Sequence, residues 1–329
     1  MSNPGIAFFV SLILSSIASW PIYKLLLAAK SRQIVSPHVA EHQKKQGTPT
    51  MGGLIVVFGV LATSLFVAPW DTPWTKAVFS IFLAFALIGF ADDYVVPKLI
   101  AGKRGLGWVP KLGLEVIASV GPLWIFLGNQ FSGLGLAIIA FIILFAANAY
   151  NFADGMDGLA GTLGIILALT TIPLSLHIYA LSGPAYYVFV LALVGALIPF
   201  LFMNANPAKL FMGDVGSLPI GALIGVLYGI PALRIVSDGT DFAMSANLAL
   251  PFVIVFGILL LELVPVPLQI FWVKVFKKRL FLMTPIHHAF EKQGWPETRV
   301  VAMFVLGQLV FSLAAWLIFN TPMAPAGGQ

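Results

Sequence analysis

The chain has 329 residues, 59% of them hydrophobic and only 9% charged, with a mean hydropathy of +0.97. So much apolar surface cannot be hidden in one water-soluble core of this length, and the chain needs lipid as its solvent. A net charge of +5 does not mark a nucleic-acid binder, because the basic residues are dispersed over short loops; the lack of cysteine excludes disulfides, thiolate nucleophiles and cysteine-bound zinc.

Apolar runs of roughly 17–25 residues, enough for a helix to cross a hydrocarbon layer of about 30 Å, recur along the whole length. They predict an all-α integral membrane protein of about ten transmembrane helices, at 5–29, 51–69, 76–91, 112–128, 132–149, 158–176, 183–203, 216–234, 246–272 and 300–319. The first run lacks a basic leader and a small-residue cleavage site ahead of a soluble domain, so it reads as a retained span. With the N-terminus placed outside, sixteen Lys and Arg side chains fall on one side and only Lys76 and Arg234 on the other. The positive-inside bias makes the crowded side cytoplasmic and, for an even number of spans, leaves both termini periplasmic. The longest polar stretches, 30–50, 92–111 and 273–299, are too short to fold alone, so residues 1–329 are expected to form a single polytopic domain. The outward loops are minimal while the cytoplasmic ones are chemically loaded, which puts the expected active site on the cytoplasmic face.

Taken in chain order, the first loaded segment is GTPTMGG at 47–53, preceded by Lys44 and Lys45. A loop entering a helix with the Thr50 hydroxyl at its turn can hold a phosphate through backbone N–H groups and a lysine, although the spacing is not that of a Walker P-loop. Asp92 and Asp93 close the third span in GFADDY, Asp154 and Asp157 close the fifth in NFADGMDGL, and Asp214 opens the eighth in FMGDVGSL. Any one of them serves equally well as a cap or turn residue. Five on one side point to a site, because a carboxylate facing lipid costs up to about a few kcal/mol. Converging carboxylates without thiols select a hard cation, and Mg²⁺ where the remaining ligands are phosphate oxygens. On a helix Asn148, Asn151 and Asp154 share a face, as do Asp154 and Asp157, and such groups can read the edge of a base or sugar. Taken alone, Asn148 and Asn151 are better explained by interhelical hydrogen bonds.

The last cytoplasmic loop, TPIHHAFEKQGWPE, carries His287 and His288, with Glu291 one turn on. Adjacent histidines on a helix diverge, which disfavours a two-histidine chelate and suits one imidazole facing a phosphate pocket. Alone the pair would be solvated; with Lys277, Lys278 and Arg279 it reads as an anion-receiving rim.

The segments GTPTMGG (47–53), GFADDY (89–94), NAYNFADGMDGLAG (148–161), NANPAKLFMGDVGSL (204–218) and PIHHAFEKQGWPE (285–297), in this order and spacing, resemble the polyprenyl-phosphate N-acetylhexosamine-1-phosphate transferases. The first and last are most similar to the members that act on phospho-N-acetylmuramoyl-pentapeptide. The resemblance extends from about residue 24 to residue 319. It implies ten transmembrane helices, Mg²⁺ dependence, and a homodimer in the bacterial inner membrane. The reaction it implies moves phospho-MurNAc-pentapeptide from UDP-MurNAc-pentapeptide to undecaprenyl phosphate, giving lipid I and UMP in peptidoglycan synthesis. By matched position, Asp214 is the implied magnesium ligand, and Asp92 and Asp93 act near the lipid phosphate, with Asp92 a candidate base. Asn151, Asp154, Asp157 and Asn204 are implied to hold uridine or sugar with Phe211 as a stacking surface. Lys45 and Thr50 are implied on the diphosphate, and His287 and the catalytic His288 on the phosphates; Asn148 and Glu291 join the substrate-binding set.

The chain departs from that pattern at Val96, where the family usually has lysine, and at Ala289, where it usually has a third consecutive histidine. A transferase using UDP-GlcNAc or another UDP-N-acetylhexosamine is therefore the alternative. A nucleotide-sugar or polyprenol carrier would instead place ionisable groups at the bilayer midplane within paired broken helices. Here only Glu115 and Glu262 lie well inside predicted spans.

Overall fold

The computed structural model describes residues 4–29, 47–100, 102–103, 105–175, 179–237 and 250–321, and these are helical with no strand among them. The chain order is α1 (Gly5–Ala28), α2 (Leu54–Val67), α3 (Pro73–Phe90), a π-helical turn (Ala91–Val95), α4 (Val96–Leu99), α5 (Trp108–Leu127), α6 (Gly133–Ala153) and α7 (Leu159–Ser175). It continues with α8 (Tyr179–Asn204), α9 (Asp214–Ser237), α10 (Gly257–Leu263), α11 (Pro265–Phe276), α12 (Ile286–Lys292) and α13 (Glu297–Asn320).

Each of the ten predicted runs contains a helix, and among the described residues eight are long and apolar enough to cross a membrane. The runs at 51–69 and 158–176 hold shorter apolar helices, α2 and α7. With 14 residues, α2 spans only about 21 Å at 1.5 Å per residue. Local chemistry sets several starts. Thr72 caps α3 by accepting from the Thr75 N–H at 3.2 Å, with Pro73 in the first turn, and Ser132 caps α6 by accepting from Gly135 N–H at 3.1 Å. The predicted run 246–272 is broken: the helix is interrupted at Val255 and Phe256 before α10. Gln308 of α13 donates to the Val255 carbonyl there at 3.0 Å, which supplies a partner for backbone freed at membrane depth.

The inner helix is α9, buried almost throughout and packed against α6 and α3, whereas α1 and α13 show large apolar side chains such as Phe9, Ile17, Leu306 and Val310 outward. Small residues spaced by four let α9 approach α6. A β-carbon on Gly221 would lie 2.6 Å from the Ala146 carbonyl oxygen, and one on Gly225 would lie 2.7 Å from Ile143 Cα. That packing carries the start of α9 to the end of α6. The entrance of α2 crosses the same region, where a β-carbon on Gly53 would lie 2.3 Å from Gly216 Cα. The rod from Pro73 to Leu99 passes through the π-helical turn just where Asp92 and Asp93 sit, a local widening of a kind found often at functional sites.

Candidate active site

Asp92 and Asp93 leave the π-helical turn toward Asp214, the first residue of α9, and one oxygen from each of the three carboxylates lies within 4.8 Å of the others. Every member is held. The Leu106 N–H donates to Asp92 Oδ1 at 2.6 Å, and the Val215 N–H donates to Asp93 Oδ2 at 3.0 Å. Asn151 of α6 donates through Nδ2 to Asp214 Oδ1 and to Ser217 Oγ, both at 2.8 Å. Lys111, at the start of α5, pairs with Asp214 Oδ2 and stands 3.6 Å from Asp92 Oδ2. Three oxygen-donor side chains on well-fixed helices make a set that could hold a metal ion, and its chemistry suits a hard cation.

Asn148 lies one turn behind. Its Nδ2 donates to Glu115 Oε2 at 2.7 Å and to the Leu144 carbonyl at 3.0 Å, which makes an interhelical bond to a buried acid on α5. Asp154 caps α6 and is partly buried; desolvation first, then the charges of Asp214 and Asp93, push its carboxyl well above the ordinary carboxylate range.

Asp157 and Asn204 tie loops together. Asp157 Oδ2 accepts from the Ala208 N–H at 3.0 Å and from Asn206 Nδ2 at 3.2 Å, while its own N–H donates to Glu297 Oε1 at 2.8 Å. The buried Asn204 accepts from the Gly158 N–H and donates to the Leu210 carbonyl, both at 2.9 Å. The GTPTMGG and FMGD segments run side by side: Phe211 N–H donates to the Pro49 carbonyl at 2.9 Å, and Gly52 N–H to the Phe211 carbonyl at 2.7 Å. This brings Thr50 to the cluster. A β-carbon on Gly213 would lie 2.6 Å from Asp93 Oδ2 and 3.0 Å from Thr50 Oγ1, and its φ of +73° is one that glycine adopts freely. Lys45 lies outside the described residues.

The histidines close the other side. His287 Nδ1 is 2.8 Å from Glu262 Oε2 of α10, and His288 Nδ1 is 2.6 Å from Glu291 Oε2. The two rings are tilted by 59° with centroids 4.1 Å apart. The divergence expected of neighbours on a helix is only partial, because both Nε2 atoms approach one glycine: a β-carbon on Gly155 would lie 2.2 Å from that of His287 and 3.3 Å from that of His288. Beyond His288 a groove of about 960 Å³ opens between α11 and α12, lined by residues including Gln269, Lys274, Arg279, Glu291 and Lys292. Among the basic residues of the expected rim, Arg279 lines it.

The structure thus gathers Asp92, Asp93, Asn151, Asp154, Asp214 and Thr50 in one place, with His287 and His288 against the adjoining turn. Lys111, Asn206 and Glu297 escaped the sequence reading, and Glu115 and Glu262 figured there only as acids within spans.

Comparison with known proteins matches residues 75–230 to glycosyl transferase family 4 and residues 45–57 to the phospho-N-acetylmuramoyl-pentapeptide-transferase signature 1. The chain is 35% identical to the phospho-N-acetylmuramoyl-pentapeptide-transferase of Ruegeria pomeroyi, over 94% of this chain and 91% of that protein. It is 33% identical to the enzyme of the same name from Helicobacter acinonychis, over 95% and 92%, and 35% identical to that of Oceanobacillus iheyensis, over 94% of each.

Proposed function

The chain belongs to the phospho-N-acetylmuramoyl-pentapeptide-transferases of glycosyl transferase family 4, and from that premise we propose that it moves phospho-MurNAc-pentapeptide from UDP-MurNAc-pentapeptide to undecaprenyl phosphate, forming lipid I and UMP. The observation that carries this reading is the convergence of Asp92, Asp93 and Asp214 from two helices around Lys111, beside the Asp154 turn and the two histidines.

In the proposed reaction an oxygen of the lipid phosphate attacks the β-phosphorus of the donor, and the bond from that phosphorus to the bridging oxygen breaks, leaving both electrons on UMP. Mg²⁺, held by Asp214 with Asp92 and Asp93 alongside, would neutralise charge on the diphosphate. A phosphate monoester loses its second proton at a pKa of about 6, so the attacking group is largely ionised near neutrality and Asp92 need only orient it. Lys111 offers hydrogen-bond donors to phosphate oxygens, joined by Thr50 and Lys45, and His288 donates from Nε2 when its ring is doubly protonated. Asn151, Asp154 and Phe211 face uridine or sugar; Asp157 and Asn204 brace the loops that shape that pocket, Asn148 supports α6 from behind, and Glu291 fixes His288. Catalysis rests on positioning and electrostatics.

The chain is proposed to act as a single domain, and as a homodimer, in the bacterial inner membrane, with α2 and α7 completing ten spans and both termini periplasmic. The cytoplasmic placement of the site is supported by the sixteen basic residues counted on the side where the aspartates and histidines meet.

Purified chain mixed with undecaprenyl phosphate should release UMP from UDP-MurNAc-pentapeptide only when Mg²⁺ is present. Full turnover in excess EDTA would remove the metal from the scheme, and turnover with UDP-GlcNAc alone would establish the alternative donor. Asp214→Asn should lower turnover by at least about 10²–10³-fold.

A further inference from the structure

Glu262 and His287 form a pair that the scheme above leaves without a use. Glu262 lies on α10 inside a long apolar stretch, and both side chains are 0% exposed. With Glu262 as the acceptor, His287 Nδ1 supplies the hydrogen of their 2.8 Å contact and Nε2 is then the free edge of the ring. That edge has no hydrogen-bond partner among the described residues, nor has Glu262 Oε1. A buried acid–imidazole pair is a poor way to fill a helix interface, where apolar side chains of like volume serve as well or better.

What the pair does touch is the site. His287 Nε2 abuts Gly155, between Asp154 and Asp157, and its ring backs that of the more exposed His288 at a centroid distance of 4.1 Å. We propose that Glu262 is a positioning residue acting through His287: it locks the ring that supports both His288 and the 154–157 turn in register with the donor's phosphates. The inference rests on the reading of His288 as a phosphate-facing group. The Glu291–His288 contact at 2.6 Å is a second acid–imidazole pair of the same kind, so each of the adjacent rings is held at Nδ1 by its own carboxylate.

The test uses the full chain in detergent with the UMP-release assay. Glu262→Met keeps the volume and removes the acceptor; turnover should fall about 10–100-fold, the range seen when an orienting partner is lost. Glu262→Gln, whose amide oxygen can still accept from Nδ1–H, should keep most of the activity. In a His287→Phe background Glu262→Met should add no further loss, because its effect passes through that ring. Glu262→Met as active as Glu262→Gln, or losing its full factor again in the His287→Phe background, would overturn the inference alone. His288→Gln turning over at the wild-type rate would overturn the phosphate reading and the inference with it. If Glu262→Met fails to fold, ¹⁵N-histidine spectra decide, since the chain has only five histidines. His287 should carry its proton on Nδ1 and respond selectively to Glu262→Gln; an unprotonated Nδ1 on His287 would overturn the proposal.

Discussion

A β-carbon on Gly89 of α3 would lie 2.2 Å from the backbone carbonyl oxygen of Asp214, so α3 and α9 touch backbone to backbone one turn before Asp92 and Asp93. No rotamer change relieves a clash with a carbonyl. Gly89→Ala should therefore wedge the helices apart, at a cost of about 1–3 kcal/mol for overpacking. A shift of about 1 Å at the carboxylates would lower turnover by about 10²-fold. Gly113 on α5 has open space around its α-carbon, and Gly113→Ala is the control: it should leave turnover unchanged and the thermal midpoint equal or higher. Equal behaviour of the two variants would count against backbone contact as what brings the aspartates together.

Lys111 supplies positive charge in direct contact with the cluster, through Asp214 and at 3.6 Å from Asp92. Replacing it by methionine leaves three neighbouring carboxylates to repel one another. In EDTA the Lys111→Met protein should be less stable by about 1–3 kcal/mol, because charged partners lose their counter-charge. Added Mg²⁺ should raise its thermal midpoint more than that of wild type, since a cation binding the folded state stabilises it in proportion to affinity. Identical Mg²⁺-induced shifts would show that Lys111 and the cation do not share this cluster.

The contrast between Asp92 and Lys111 explains how much was legible in the sequence. Asp92, Asp93, Asp154 and Asp214 sit at ends of apolar runs, where a carboxylate is costly in lipid, and that cost made them conspicuous. Lys111 sits at the edge of such a run too, yet lysines are ordinary there as cytoplasmic flanks, so nothing in spacing or composition set it apart. Its partners lie 103 and 19 positions away and only the packing of α5 joins them. Glu262 was visible as an acid within a span, but its link to His287, 25 positions on, is a tertiary contact. The apolar runs read correctly as helices because length and hydropathy decide that locally. The short reach of α2, the close glycine crossings and the loop ties of Asp157 are tertiary facts, with no local signal that distinguishes Gly89 from Gly113.

Asp154 gives a pH signature. Its carboxyl is held well above the free value of about 3.9 by desolvation and by Asp214 and Asp93. As pH rises past that free value, the unfolded chain releases this proton before the folded one does, so the folded state binds more protons and stability falls with rising pH. Asp154→Asn removes the titration. In EDTA, the wild-type midpoint should decline more steeply than that of the variant from about pH 4 upward, the two curves running together below it. Parallel curves over the whole range would refute the shift.

Asp157 should behave as a brace. Its Oδ2 holds the Ala208 N–H and the Asn206 amide, tying the turn after α6 to the 204–208 loop. Asp157→Ala deprives the Ala208 N–H of its acceptor and leaves the Asn206 amide only Glu297 Oε2 at 3.3 Å, at a cost of about 1–3 kcal/mol. A lower thermal midpoint with a donor KM within about threefold of wild type is the expected result, since a lost brace acts on the folded population and not on the bound sugar. A large rise in KM at an unchanged midpoint would instead put this carboxylate on the substrate.

Gly155 joins the two halves of the site, because the Nε2 atoms of His287 and His288 both reach it. A β-carbon there would lie 2.2 Å from the first, 2.8 Å from its Cε1 and 3.3 Å from the second. Its backbone is not left-handed, so alanine carries no conformational strain at this position and acts only through the space it takes. His287 cannot swing away without giving up Glu262, and its ring is enclosed on all sides. The turn must then yield, carrying Asp154 away from Asp214. Gly155→Ala should cut turnover about 10²-fold through that misplacement. In a His287→Ala background, where the space is free, Gly155→Ala should cause no further loss of thermal midpoint, and the activity should stay low, since the imidazole that braces His288 is gone. Recovery of activity in the double variant would mean that the ring contributes only bulk.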